Sequence, residues 1–279
     1  MQQLHHIYIN PLEKCNLKCK ICYTKKTSPI LKEKEIIDFI EKYNREVEIK
    51  VITFCGGEMF TLSYFPHLIT TLTKRGIFIQ VITNGTVDKL DQFEDSNKIN
   101  LIVSLDGLKD YHDANRGAGN FKKSTAFLLK AKKLGFHTEI FSIVTKQNLK
   151  CIDTFEKDMK NKFGNIDITY HPRKPMTYLN VHPVSNIKGD VEGFDFLDKK
   201  ELLKLMLTKK TFPPKDLGCY QISLVSDGTI YGCCEGFEAL GRINNSIPQL
   251  ISKLKSKIKG PCLGCSQPGF MCGIASLLE

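Results

Sequence analysis

Strand-period and helix-period stretches alternate along this chain from His6 to Tyr170. His6-Ile7-Tyr8-Ile9-Asn10 reads as a strand, and Glu35 to Tyr43 carries Ile36, Ile37, Phe39, Ile40 and Tyr43 at helical spacing. Lys50-Val51-Ile52-Thr53-Phe54 is the next strand and Ser63 to Lys74 the next helix. Ile77 to Thr83 then reads as a strand, Val87 to Phe93 as a helix, and Leu101-Ile102-Val103-Ser104-Leu105 as a near-continuous apolar strand. Phe121 to Leu134 is helical and stops at Gly135. Glu139 to Thr145 is a fifth strand, Ile152 to Phe163 a helix and Ile166 to Tyr170 a sixth strand.

Six β-α repeats with short connections imply an α/β fold, a parallel sheet covered by helices that is either an open doubly wound sheet or a barrel. In both, reactive groups collect at the carboxyl ends of the strands. The alternation stops at His171, and His171 to Asn186 carries three prolines, so a boundary near Pro175 divides the chain into 1–174 and 175–279. The second part holds a helix near Lys199 to Leu207 and a hairpin, Ile222 to Val225 and Thr229 to Gly232, turned at Ser226-Asp227-Gly228. A basic helix from Ile247 to Ile258 follows, with Lys253, Lys255, Lys257 and Lys259 as a solvated face.

The chain has 279 residues, 42% hydrophobic and 25% charged, as expected of a globular protein. Neither a signal-peptide pattern nor an apolar run of membrane-spanning length is present, which predicts a cytoplasmic protein. Eleven cysteines are many for that compartment, and the odd count argues for metal ligation over a disulfide framework. Cys15, Cys19 and Cys22 form one group; Cys219, Cys233, Cys234, Cys262, Cys265 and Cys272 form another. Cys55 and Cys151 stand apart and read as core thiols. The formal charge of +10 invites a nucleic-acid reading, but ligation of two iron-sulfur clusters would reduce it to about +7. That suits an anionic substrate or partner without requiring nucleic acid.

Three thiols within eight residues directly after a strand can hold three irons of a cubane cluster and leave the fourth open, whereas a zinc site or a clip of inert thiols is the simpler alternative. Cys55-Gly56-Gly57-Glu58 follows the second strand: two glycines permit close backbone approach, and Glu58 offers a carboxylate to a ligand ammonium. The third strand ends in Thr83-Asn84-Gly85 and the fourth in Ser104-Leu105-Asp106-Gly107, followed by His112-Asp113 and Arg116-Gly117. Singly these are turn and cap residues. Together they put polar groups at four successive strand ends.

Cys-x3-Cys-x2-Cys, Gly-Gly-Glu and Ser-x-Asp-Gly at these positions resemble the radical S-adenosylmethionine (SAM) superfamily over roughly residues 5 to 172. The resemblance implies a partial (β/α)6 TIM-like barrel in which Cys15, Cys19 and Cys22 bind a [4Fe-4S] cluster whose open iron is chelated by SAM. One electron then cleaves SAM to methionine and a 5′-deoxyadenosyl radical that abstracts hydrogen from substrate. Carried over by position, Gly56, Gly57 and Glu58 would hold the methionyl amine, Ser104 the ribose or carboxylate, and Arg116 the methionyl carboxylate. Two departures concern adenine packing: Ile21 stands where an aromatic residue usually precedes the third cysteine, and Met59 where proline usually follows Gly-Gly-Glu.

The second cysteine group looks like the SPASM extension or its shortened twitch form, a small C-terminal auxiliary-cluster domain. Ser276 stands where the full pattern has a further cysteine, so the resemblance implies one auxiliary [4Fe-4S] cluster on Cys219, Cys233, Cys262 and Cys265, with Cys272 an alternative ligand or a free thiol and Cys234 turned away. Four-thiolate zinc is the alternative. The expected activity is a radical SAM oxidoreductase acting on a peptide or small metabolite and fed by a reductant such as ferredoxin or flavodoxin. Because the first strand starts near residue 6, leader-peptide recognition is expected to come from elsewhere or to be absent. His171, Arg173, Tyr178 and His182 lie near the barrel exit as candidate substrate contacts. The contrasting reading is a non-catalytic iron-sulfur electron carrier or a zinc-bound nucleic-acid module.

Overall fold

The computed structural model describes residues 2–22, 24, 26–173, 191–211, 219–233 and 239–257. Six strands, β1 (His6–Asn10), β2 (Val51–Phe54), β3 (Phe78–Thr83), β4 (Ile99–Ser104), β5 (His137–Val144) and β6 (Asp167–Pro172), pair in parallel in chain order. A doubly wound sheet reverses its strand order at a switch point. From β1 to β6 the order never reverses, so these six strands are singly wound in the manner of a barrel.

The hairpin extends this same sheet. β7 (Cys219–Val225) lies parallel to β1, with Tyr8 opposite Ser223, and β8 (Thr229–Cys233) and β9 (Ala239–Arg242) follow antiparallel, giving nine strands in the order β6-β5-β4-β3-β2-β1-β7-β8-β9. β1, from which the thiol loop springs, is therefore paired on both sides.

One face of the sheet is apolar. Ile7, Ile9, Ile52, Phe54, Ile79, Val81, Leu101 and Val103 are buried in one cluster with Ile36, Phe39 and Ile40 of α1 (Glu33–Asn44), Phe65, Leu68, Ile69 and Leu72 of α2 (Phe65–Lys74), and Phe127 and Leu128 from residues 120–133. The apolar positions of α1 and α2 recur every three or four residues, so each helix turns one stripe to the sheet. Phe60, in a short 3-10 turn after β2, meets Phe65, Phe93 and Phe127 edge-on at 5.7, 5.8 and 5.5 Å. Each such contact adds about 0.5–1.5 kcal/mol to the burial of its rings, which roots the Gly-Gly-Glu turn in the core.

The opposite face is polar. Tyr8, Thr53, Gln80 and Asn100 stand in one register row across β1 to β4. His6 Nε2 lies 2.8 Å from the Thr53 hydroxyl, which donates to Gln80 at 2.7 Å, and Asn100 donates to Glu139 at 2.8 Å. Alternation in the strands thus produces a helix-packed side and a hydrogen-bonding side.

Between β4 and β5 lie α3 (Lys109–Arg116) and α4 (Asn120–Lys133); α5 (Lys146–Leu149) and α6 (Ile152–Phe163) precede β6. α7 (Lys199–Thr208) follows, and α8 (Ile247–Lys257) buries Ile247, Leu250 and Leu254 while Lys253 and Lys255 are exposed. The helix expected over Val87 to Phe93 is instead a 3-10 turn at Leu90–Gln92, because the Asp88 carboxylate accepts the Leu90 N–H. Among the described residues no helix is long and apolar enough to cross a membrane.

Candidate functional site

The thiol loop runs from the end of β1 to α1 and is closed at its root. Leu12 and Ile30 form an antiparallel bridge, and the Leu31 N–H donates to the Pro11 carbonyl at 2.9 Å. Along the loop Lys14, Asn16, Lys18 and Lys20 are exposed while Cys15, Leu17 and Cys19 are half-buried, so the first two thiols lie on the more enclosed side.

The turn after β2 carries this loop. Gly57 N–H donates to the Leu12 carbonyl at 2.9 Å and Glu58 N–H to the Lys14 carbonyl at 3.1 Å. Gly56 has φ +125°, and a Cβ on Gly57 would stand 1.8 Å from the Lys14 carbonyl oxygen, so the close approach that needs glycine is to the cysteine loop itself. The Glu58 carboxylate, expected to face a ligand, is fully buried. It accepts from Phe60 N–H at 3.2 Å, the Thr83 hydroxyl at 2.8 Å and Asn84 N–H at 2.8 Å. It ties the ends of β2 and β3 together, and burial raises its pKa against the pull of those donors.

Polar groups meet the thiols from the end of β3 and from the loop itself. Cys15 Sγ lies 3.6 Å from Asn84 Nδ2 and 3.4 Å from Leu17 N, and Cys22 Sγ lies 3.1 Å from the Thr24 hydroxyl. Burial raises the Cys15 thiol and pushes Cys19 up to about 11, with the Arg116 charge partly offsetting it at Cys19. Cys15 and Cys19 each feel Cys22, and Glu58 feels Arg116, so these predicted residues share one electrostatic neighbourhood. The N–H donors aimed at Cys15 suit a sulfur ligand of an iron-sulfur cluster. Among the described residues no three histidine, cysteine or acidic side chains lie close enough to hold a single metal ion.

Arg116 is held by a carboxylate that sequence reasoning left unassigned. Asp106, fully buried after β4, receives Arg116 Nε at 2.5 Å and Nη2 at 3.0 Å, Asn115 Nδ2 at 2.8 Å and Ile143 N–H at 3.1 Å. Burial opposes its ionisation, but the Arg116 charge and these hydrogen bonds prevail and hold it below the usual carboxylate range. Asn148 caps the other side, donating to the carbonyls of Asp106 and Ile143 at 2.8 Å each. Ser104 ends β4 on the polar face, opposite Phe141.

His112 completes this group. Its Nδ1 accepts from Asp106 N–H at 3.2 Å, and the ring meets Phe121 edge-on at 5.7 Å. Burial lowers its pKa to about 4, with Asp106 and Asp113 opposing and Arg116 assisting. A histidine kept neutral in the fold contributes its full stability above the unfolded value near 6.5 and loses it as pH falls toward 4. The expected loss for the metal-free protein is about 2 kcal/mol at pH 5. Imidazole NMR tests this: a His112 titration near pH 6.5 would remove the effect.

Other predicted residues lie elsewhere. Cys219 and Cys233 stand opposite one another in the β7–β8 ladder, and Cys233 is buried. Cys234, Cys262, Cys265, Cys272, Tyr178 and His182 lie outside the described residues. His171 and Arg173 are buried at the end of β6; Arg173 donates to the Phe194 carbonyl and stacks over Phe196 at 4.1 Å. Cys55 is half-buried after β2 and not in the core cluster, and burial pushes its thiol up to about 12. Cys151 is exposed at the start of α6, because that helix turns Ile152, Phe155 and Met159 to the core.

Six singly wound parallel strands, with three thiols and a largely enclosed arginine near their carboxyl ends, place this chain among barrel-type α/β proteins. The chain belongs to the Radical SAM superfamily, which it matches over residues 9–159. This is a family of SAM-binding iron-sulfur enzymes, and the domain implies a [4Fe-4S] cluster and SAM. The chain is 30% identical over 155 residues to the S-adenosylmethionine-dependent nucleotide dehydratase of Lacinutrix mariniflava, a match covering 49% of this chain and 32% of that protein. It thus spans about a third of that relative's length. To the cysteine-type anaerobic sulfatase-maturating enzyme of Clostridium novyi it is 24% identical over 268 residues, covering 78% of this chain and 70% of that one. The fold is shared with SuiB of Streptococcus suis, solved bound to the precursor peptide SuiA: TM-score 0.73 and 15% identity over 99% of this chain and 72% of SuiB.

Proposed function

We propose that this chain is a radical SAM oxidoreductase that abstracts hydrogen from a peptide or small metabolite. The observation that carries this reading is the loop of Cys15, Cys19 and Cys22 seated on the Gly-Gly-Glu turn, with Asn84 donating to Cys15 and the Arg116 charge beside Cys19. Cys15, Cys19 and Cys22 would hold the [4Fe-4S] cluster, which when reduced supplies the electron that cleaves SAM. Arg116 supplies a fixed cation for the methionyl carboxylate, Ser104 a hydroxyl for the ribose or carboxylate, and the Gly56-Gly57-Glu58 turn the backbone near the methionyl amine. Cys219, Cys233, Cys262 and Cys265 would carry one auxiliary [4Fe-4S] cluster in a twitch-like segment, with Cys272 in reserve. A peptide substrate is favoured because the similarity spanning most of the chain is to a sulfatase-maturating enzyme.

Anaerobic reconstitution with iron and sulfide, followed by dithionite and SAM, should release 5′-deoxyadenosine. An intact cluster that yields none would sink the enzyme reading. Iron near eight per chain supports two clusters, and about four contradicts the auxiliary one.

The reductant should be acidic. Lys14, Lys18, Lys20 and Lys26 are exposed around the thiol loop and give a ferredoxin- or flavodoxin-type donor a complementary surface close to the cluster. Lys18→Glu combined with Lys26→Glu should lower donor-driven turnover about tenfold at low salt. Dithionite-driven turnover needs no docking, so equal losses with both reductants would refute this surface.

A further inference from the structure

Asn115 lies in the last turn of α3 and is 3% exposed. Its backbone carbonyl accepts the Lys20 N–H at 2.9 Å and its Oδ1 accepts the Ile21 N–H at 3.3 Å. These are the two amides between Cys19 and Cys22. Its Nδ2 donates at 2.8 Å to Asp106 Oδ2, the same oxygen that receives Arg116 Nε. Four donors occupy the Asp106 carboxylate, about all that its lone pairs can accept, so its position is fully determined by its partners.

We infer that Asn115 is a positioning residue that sets the segment between the second and third thiols relative to the guanidinium of Arg116. Only a side chain with one acceptor and one donor at this length satisfies both neighbours. Aspartate would keep the acceptor for Ile21 but turn a second carboxylate toward Asp106. Leucine, nearly the same shape, would leave the Ile21 amide without its acceptor and Asp106 Oδ2 with Arg116 Nε alone. The inference rests on the proposed function, since it takes Arg116 as the holder of the SAM carboxylate.

A double-mutant cycle on the reconstituted full chain tests it, reading equilibrium SAM binding and the electron paramagnetic resonance of the reduced cluster. Asn115→Leu should weaken SAM binding about tenfold, and shift the g-values of the SAM-free cluster while iron per chain stays unchanged. In an Arg116→Ala background the same substitution should cost little further affinity, because the group it aims is gone. Additive losses in the double variant, or unaltered g-values in Asn115→Leu, would overturn the coupling. If Arg116→Ala alone leaves SAM binding intact, it is the Arg116 assignment that fails. Should Asn115→Leu not fold, the smaller and equally uncharged Asn115→Ala carries the same cycle.

Discussion

Asp106→Ala is expected to lower the unfolding free energy of the metal-free protein by about 3–5 kcal/mol, the usual cost of removing one partner from a buried ion pair. Arg116, whose side chain is 13% exposed against 0% for Asp106, would keep its charge without a counter-ion. Asn115 Nδ2 and Ile143 N–H would lose their acceptor at the same time. A loss of that size is a large share of the roughly 5–15 kcal/mol that holds a domain folded. Asp106→Asn keeps the shape and one acceptor and should cost less. Urea unfolding compares them, and a loss below about 1 kcal/mol for the alanine variant would mean that α3 and β5 are held by other contacts.

Gly57→Ala should have the opposite profile, a folded protein with a failing site. The new Cβ would meet Lys14 O at 1.8 Å, Lys14 C at 2.5 Å and Glu13 C at 2.8 Å, all main-chain atoms that no side-chain rotation can move aside. The loop must retreat by more than about 1 Å to reach ordinary contact distance, which detaches it from Gly57 and Glu58 N–H. A shift of that size costs about a hundredfold in SAM cleavage. Circular dichroism should stay native, because Phe60 and its aromatic neighbours lie on the other side of the turn. Wild-type 5′-deoxyadenosine release from the variant would show that the loop tolerates the displacement.

The repeating strands and helices were legible because each has a one-sided apolar pattern of the right period. α3 escaped for the same reason: the positions it buries are His112 and Asn115, so the helix has no apolar stripe to read. The i, i+3 spacing of those two polar residues, with Arg116 beside them, was the available signal. The hairpin was legible from its turn, but its place beside β1 was not, since alternation tells which face a residue takes and not which strand lies next to it. Glu58 was read as a carboxylate facing a ligand, whereas its three donors come from its own turn and from the end of β3, and only the fold brings β3 to it. Asp106 was quoted inside Ser-x-Asp-Gly without a role because its partners are contributed by α3 and β5.

The pairing of β1 with β7 bears on the order of events during synthesis. Ser223 leaves the ribosome about 215 residues after Tyr8, its partner. Until then the strand bearing the thiol loop offers a bare edge to any passing extended chain, the usual starting point of aggregation. A nascent chain halted after β6 would carry every cysteine of the first group and still lack this flank. Arrested-chain experiments should therefore find protease protection of residues 6–10 arriving late, well after that of β3 and β4.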